Sequence, residues 1–457
     1  MTADSNKTPA LIAATLTSFL TPFMGSAVNI ALPTIGERFD LDAVSQSWVT
    51  LSFSLAAAVF LVPFGKLADI HGRKRIFAYG TLLFTVSTFL TGIATSAAML
   101  LVCRVAQGIG SAMIFGTGVA ILTSVYEPGE RGRVLGINVA AVYLGLSLGP
   151  PLGGLLTQQL GWRSIFLVTV PLGVAAVAYV AWGLKGEWAE ARGESFDLAG
   201  SAIYSVALVA LMLGFSRLPK LLGGGLILAG LIGIGLFAVW EMRARSPALD
   251  LGLFSRNRVF AFSNLAALIN YSATAAVGFL LSQYLQYIKG LTPLWAGLVL
   301  IAQPAMQALF SPLAGRLSDR IEPRVVASTG MAISAAGLFL LIWITDTTPL
   351  GWIVFCLMLL GFGFALFSSP NMNAIMGSVE RRLYGVASGT LATMRTVGQM
   401  FSLGVVTLLF ALYVGNVKIE PQYYPQFLAS VKTAFAILTV LCAGGIFASL
   451  TRGKLRS

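Results

Sequence analysis

GKLADIHGRK, residues 65–74, closes the second long apolar run of this chain with Lys66, Arg73 and Lys74 around one acid, Asp69. GRLSDRIEPR, residues 315–324, repeats it at an offset of 250: Gly65/Gly315, Leu67/Leu317, Asp69/Asp319 and Lys74/Arg324. A second set of matches follows at an offset of 249, Gly136/Gly385 and Gly149/Gly398. A polar loop repeated between apolar runs implies two similar halves. In a membrane protein that pattern points to a transporter built from parallel repeats, with its site between them.

Composition places the chain in lipid. Of 457 residues, 56% are hydrophobic and only 11% charged, against about 25% charged in a soluble domain; the mean hydropathy is +0.83. The 49 glycines suit helices that pack closely in a bilayer. Cys103, Cys356 and Cys442 lie inside apolar runs, so no disulfide framework is expected. The first apolar run, from about Pro9 to Pro33, is long enough to span, so no cleavable signal peptide is expected. The net charge of +12 sits in short loops between apolar runs, which argues against nucleic acid.

Apolar runs of roughly 20 residues read as membrane helices. They fall at 10–33, 44–64, 76–95, 97–120, 134–156, 164–184, 198–216, 222–240, 259–286, 294–314, 325–345, 350–371, 386–413 and 429–450, fourteen in all. Long runs such as 383–413 leave room for a break. An even count puts both termini on one side. With that side inside, 21 of the 30 Lys and Arg fall in inner loops and tails, seven in outer segments, and Arg104 and Arg395 within spans. The positive-inside rule then gives a multi-pass protein of a cell membrane, of the cytoplasmic or inner-membrane type, with both termini cytoplasmic. Six spans per half need only part of this length. The expected division is an N-terminal six-helix bundle over 1–184, a linker with two additional spans over 185–257, and a C-terminal six-helix bundle over 258–457.

These residues resemble the major facilitator superfamily, and most closely its 14-span drug:proton antiporters. After span two come Gly65, Leu67, Ala68, Asp69, Gly72, Arg73, Lys74 and Arg75, similar to that superfamily's inner-loop signature. Arg104, Gln107, Gly108 and Gly110 in span four match its second motif. Gly136, Gly145, Gly149, Pro150, Gly153 and Gly154 have the spacing G-x8-G-x3-G-P-x2-G-G typical of its exporters. NIALP at 29–33 and WRSIFLVTVPLG at 162–173 are also similar to the 14-span group. The resemblance covers nearly the whole chain. It implies an all-α membrane protein with the major facilitator fold: two six-helix bundles plus two extra helices between them.

It also implies roles. Gly65, Asp69, Arg73 and Asp319 belong to loops that gate the inner side, where Asp69 can meet a helix N-terminus or pair with a basic residue. The alternative is a solvated loop that only sets topology. Gly145, Gly149, Pro150, Gly153 and Gly154 form a small-residue face against which another helix, 259–286 or one of its neighbours, approaches closely, with Pro150 and Pro151 able to kink span five. That face serves either as a pivot or as ordinary tight packing.

The chain departs from the 14-span pattern at more than one position. Span one of that group has a motif like L-D-x-T-x-V-N-x-A-L-P; here FMGSAVNIALP puts Met24 where the acid stands and Ser26 where the Thr stands. No Asp or Glu occurs at 70–126, 131–186, 251–318, 323–345 or 347–379. An arginine in the membrane core costs roughly 2.5–3.5 kcal/mol on insertion scales and so needs partners. Arg104 lies eight residues beyond Ser96, about 12 Å deep. Its expected partners are Asn29, Gln107, water or a ligand; alternatively it snorkels toward Glu37 or Asp40. A cavity with a cation and no acid favours neutral or anionic substrates. Candidate cavity residues are therefore Met24, Asn29, Arg104 and Gln107, with Asn270 and Tyr271 mid-span in the second half. Arg395 is either a second cavity cation or a partner of inner-loop acids such as Glu380.

No G-x4-G-K-[ST] motif, metal-ligand cluster or catalytic constellation occurs, so an ATP-driven pump, an enzyme, a metal or another cofactor is not expected. The expected function is a secondary active exporter of small amphipathic drug-like molecules working by alternating access. It acts as a monomer in the lipid bilayer, and proton coupling is implied by resemblance alone. The alternative is a facilitator or exchanger of organic anions or neutral metabolites. A non-transporting sensor or scramblase is the third reading.

Overall fold

Without water in the bilayer core, every backbone N–H and C=O must be paired within the segment, and a helix does this alone. The computed structural model describes residues 3–189, 191–244, 252–380 and 383–453, and within these not the side chains of 3–5, 128, 129, 131, 132, 319 and 385. Among the described residues fourteen long helices result: α1 Ala3–Phe39, α2 Ala43–His71, α3 Arg73–Gly92, α4 Ala97–Val125, α5 Pro128–Leu160, α6 Arg163–Gly183, α7 Leu198–Arg217, α8 Leu221–Glu241, α9 Arg258–Ile288, α10 Pro293–Ser318, α11 Pro323–Leu341, α12 Leu350–Gly377, α13 Tyr384–Tyr413 and α14 Tyr424–Thr451. Among the described residues no strand is present.

Each run read from the sequence corresponds to one of these helices. Thirteen are long and apolar enough to cross a membrane. The other, α3, is diluted by hydroxyls. Thr81, Thr85, Ser87, Thr88 and Thr91 return their O–H to carbonyls one turn back, so they cost little in lipid. Sequence-local caps start several helices: Asp42 for α2, Ser96 for α4, Asp197 for α7 and Asn257 for α9 each accept a first-turn N–H.

The break falls elsewhere than in 383–413, which is one continuous helix within α13. It lies in α9, where the α-helix ends at Thr274, resumes at Val277 and widens to a π-helical turn at Tyr284–Ile288. The Ala276 N–H, freed at the break, donates to Ser402 Oγ of α13 at 3.0 Å, so the interruption is satisfied by a neighbour. α5, by contrast, stays helical through Pro150 and Pro151.

α1 to α6 pack on one another, and α9 to α14 do the same. The two sets touch chiefly through α5 with α10 and α2 with α13. At the C-terminal end Arg452 ties the second set together: it donates to Asn371 Oδ1 of α12, to the Pro323 carbonyl of α11 and, at 3.3 Å, to Ser263 Oγ of α9. α7 and α8 form a hairpin laid over the α2–α13 seam. Tyr204 of α7 donates to the Ala58 carbonyl of α2, and Met212 and Phe215 lie against Gly404 of α13. α8 turns Leu221, Leu228, Leu231, Ile232 and Leu236 outward, an apolar face suited to lipid.

Candidate functional site

Successive helices alternate in direction, so one face of the bundle carries Ala3, Gly453 and the Gly65–Lys74 junction of α2 with α3; the far face carries residues 39–43. At the far face the two sets of helices are joined by a polar lock. Ser282 Oγ and Gln286 Nε2 of α9 donate to the Asn29 and Ile30 carbonyls of α1, at 2.7 and 2.9 Å. Gln283 donates to Gln46 Oε1 at 3.1 Å, and Gln46 Nε2 reaches the Leu32 carbonyl and Tyr287 Oη, both at 2.8 Å. The Ser47 and Thr407 hydroxyls pair at 2.9 Å between α2 and α13. In the loops, Ala43 N–H donates to the Val417 carbonyl and Lys418 pairs with Asp40. The hydrogen bond to Asp40 and its charge raise the Lys418 pKa. These contacts close the far face between the two sets.

Midway, Tyr143 of α5 and Ser368 of α12 approach to 3.3 Å. Tyr271 stands edge-on to Phe364 with ring centroids 5.4 Å apart, and the Arg395 guanidinium lies 5.5 Å from the Tyr271 ring centroid. Apart from the buried Phe364, these side chains are partly exposed, and the group comes from α5, α9, α12 and α13. Together they present hydroxyls, an aromatic face and one cation, which suits an amphipathic molecule without a positive charge.

Arg104 is fully buried in the first set of helices. Its Nε donates to the Val49 carbonyl of α2 at 3.0 Å and its Nη1 to Gln107 Oε1 at 2.8 Å. Gln107 in turn donates to Thr88 Oγ1 of α3 at 2.7 Å. The Phe53 ring lies 4.5 Å from the guanidinium carbon, and Nη2 has no hydrogen-bond partner. The hydrogen bonds thus go to Val49 and Gln107, not to Glu37 or Asp40. Asn29 accepts from Thr50 instead, and Met24 is buried in the apolar core. Asn270 is fully buried with both amide atoms unpartnered, while its backbone carbonyl accepts from Thr274. Of the six cavity candidates, Arg104 and Gln107 are in contact. Asn29, Asn270 and Met24 stand apart from them, and Tyr271 joins the midway group.

At the terminal face, Asp69 Oδ1 pairs with Arg73 at 2.8 Å, and Arg73 also reaches Ser124 Oγ of α4. Gly65 lies where α2 passes Gly116 of α4. The segment after α6 folds over this loop. Glu187 accepts from the N–H groups of Lys74 and Arg75 at 2.7 and 3.2 Å and so caps α3. Its carboxylate lies over Gly72, whose φ of +118° favours glycine. Arg73 N–H donates to the Trp188 carbonyl, Ala191 N–H to the Asp69 carbonyl, and Lys66 pairs with Glu194 at 2.6 Å. The Asp319 side chain lies outside those described.

The glycine face of α5 has two partners. Gly145, Gly149 and Gly153 sit against Phe19, Phe23, Ser26 and Ala27 of α1. Gly154 meets the Pro293 carbonyl of α10, and Gly297 of α10 meets the Pro150 carbonyl in return. The approaching helices are thus α1 and α10, a neighbour of the 259–286 run rather than that run itself. Sequence reasoning did not single out Gln46, Ser47, Gln283, Gln286, Thr407 or Glu187. Nothing local distinguishes these from ordinary helix and loop residues; only cross-helix geometry does.

Comparison with known proteins agrees with this arrangement. The Major Facilitator Superfamily model matches residues 14–240 and 263–454. Riboflavin transporter RibZ of Clostridioides difficile is 31% identical, over 84% of each chain. Multidrug resistance protein Stp of Mycobacterium tuberculosis is 33% identical, over 90% of this chain and 77% of its own. In fold, the chain superposes on a bacterial homologue of the human lysosomal transporter Spinster, solved inward-facing and unoccupied, with a TM-score of 0.66 at 18% identity, covering 98% and 97% of the two chains.

Proposed function

This chain belongs to the Major Facilitator Superfamily, a multi-pass membrane transporter of small molecules and not an enzyme, and from that premise we propose that it exports amphipathic drug-like compounds by alternating access, as a proton-coupled monomer of the 14-span antiporter type. The observation that carries this reading is the lock from Gln46 to Thr407, which joins the two sets of helices at one face; within this reading the opposite, terminal face is the parted side. A gate closed on one side only is what alternating access requires. The 21-to-seven basic bias puts the parted face toward the cytoplasm, with both termini. The bundles are 1–184 and 258–457, and 185–257 links them. The relative named a multidrug resistance protein supports a drug-like substrate.

Within this reading, Tyr143, Tyr271, Ser368 and Arg395 meet the substrate, with Asn29 and Asn270 nearby. Arg104 and Gln107 set the positive potential of the first half, and Met24 marks the missing acid. Asp69, Arg73, Gly65 and Asp319 serve the inner gate. The exporter glycines hold α5 to α1 and α10.

A second reading has its own support. The membrane core holds no carboxylate to titrate, and one relative is named a riboflavin transporter. A facilitator or exchanger of neutral or anionic metabolites fits both. Proteoliposome flux separates the two. Proton-coupled export predicts that an imposed pH gradient drives accumulation; the second reading predicts downhill flux indifferent to it.

A further inference from the structure

On the outer wall of the second set of helices, a groove of about 330 Å³ runs between α9 and α13. Its lining is apolar throughout: Phe254, Ala261, Phe262, Leu265, Leu268 and Met394. It faces lipid, because Leu265 of α9 is exposed beside it, as are Val440 and Phe447 on neighbouring α14. At its terminal-face mouth stand two exposed arginines, Arg256 and Arg258. Arg258 is held there: its Nε donates to the Thr451 carbonyl at 3.0 Å, and its guanidinium lies 5.6 Å from the Phe262 ring centroid. From Arg258 to Leu268 the helix rises about 15 Å, half of a hydrocarbon core of about 30 Å and so the depth of one leaflet.

We propose that this groove is a binding site for one anionic phospholipid, with its phosphate at Arg256 and Arg258 and an acyl chain along Phe262, Leu265 and Met394. Two features call for that ligand together. Cations alone attract any anion, and an apolar groove alone takes any chain. A held Arg258, with the exposed Arg256 two residues before it, one helical turn below a leaflet-deep apolar track takes a molecule that carries both. Calling the leaflet cytoplasmic rests on the orientation proposed above; binding itself depends on neither orientation nor transport.

The test is native mass spectrometry of the full chain titrated with phosphatidylglycerol and phosphatidylcholine of identical acyl chains, with inorganic phosphate as a third probe. The wild type is expected to hold phosphatidylglycerol at least about tenfold more tightly, from roughly a fivefold gain per basic residue near the surface. Arg256→Gln with Arg258→Gln brings the two lipids within about twofold of each other. Ala261→Trp, which fills the groove and leaves both charges, lowers retention of both lipids. Circular dichroism and gel filtration confirm that each variant is folded. Equal affinity for the two lipids in the wild type overturns the proposal. So does phosphatidylglycerol retention unchanged in both variants, or a thermal shift from inorganic phosphate equal to that from lipid.

Discussion

Gln283 of α9 donates its amide to Gln46 of α2 at 3.1 Å, across the boundary between the two sets of helices, while Gln46 donates onward to Leu32 and Tyr287. One side chain thereby links α1, α2 and α9 at the far face. Each neutral hydrogen bond contributes about 1 kcal/mol net, so losing Gln46 removes a few kcal/mol from the closed state at most.

Gln46→Ala is therefore expected to shift the population toward a state opened at the far face by about fivefold or more. Spin labels at Arg38, in the last turn of α1, and Gly290, between α9 and α10, report this as growth of a longer-distance population in double electron–electron resonance. An unchanged distance distribution shows that Gln46 does not gate.

Gly297→Leu places a branched side chain where the Pro150 carbonyl of α5 lies. Overpacking of this kind costs about 1–3 kcal/mol, and it bears on the crossing of α5 with α10. Flux is expected to fall at least tenfold while Gly224→Leu, at an open position on α8, leaves it unchanged. Equal flux in the two variants removes the close approach from the mechanism.

Glu187→Ala removes the cap of α3, a loss of about 0.5–2 kcal/mol. Limited proteolysis should then cut within 185–197 faster than in the wild type. Glu187→Gln, whose amide oxygen still accepts, should fall between. Identical cleavage in all three shows that the contacts at Trp188, Ala191 and Glu194 hold the segment without Glu187.

Arg104→Ala leaves Gln107 Oε1 and the Val49 carbonyl without their shared donor, and hydrogen bonds to a charged group contribute about 1.5–3 kcal/mol. Thermal stability is expected to fall. The ratio of organic-anion to lipophilic-cation flux should fall too, because a positive charge leaves the first half. A stability loss with an unchanged ratio makes Arg104 a structural tie between α2 and α4 only.

The sequence carried the fold because lipid imposes it. Fourteen runs of sufficient length became helices, and the hydroxyl-rich α3 was still legible as the run 76–95 even though its hydropathy is the weakest. The repeat at Gly65 and Gly315 carried the two-fold plan. The break in α9 was not legible, since Thr274 to Val277 contains neither glycine nor proline; its amide is satisfied by Ser402 from another helix. The lock was illegible for the same reason. Gln46, Ser47 and Thr407 are unremarkable until α2 meets α9 and α13. Arg104 was conspicuous by its charge alone, but its partner Val49 contributes a backbone carbonyl, and no side-chain pattern points to that.

The most direct measurement uses the 2.9 Å pair at the far face. Ser47→Cys with Thr407→Cys puts two thiols within disulfide reach, and the native Cys103, Cys356 and Cys442 are all buried. In proteoliposomes, oxidation is expected to join α2 to α13, abolish substrate flux and leave binding from the parted face intact, with flux restored by reductant. Flux that continues at the wild-type rate with the cross-link fully formed would contradict alternating access through this gate.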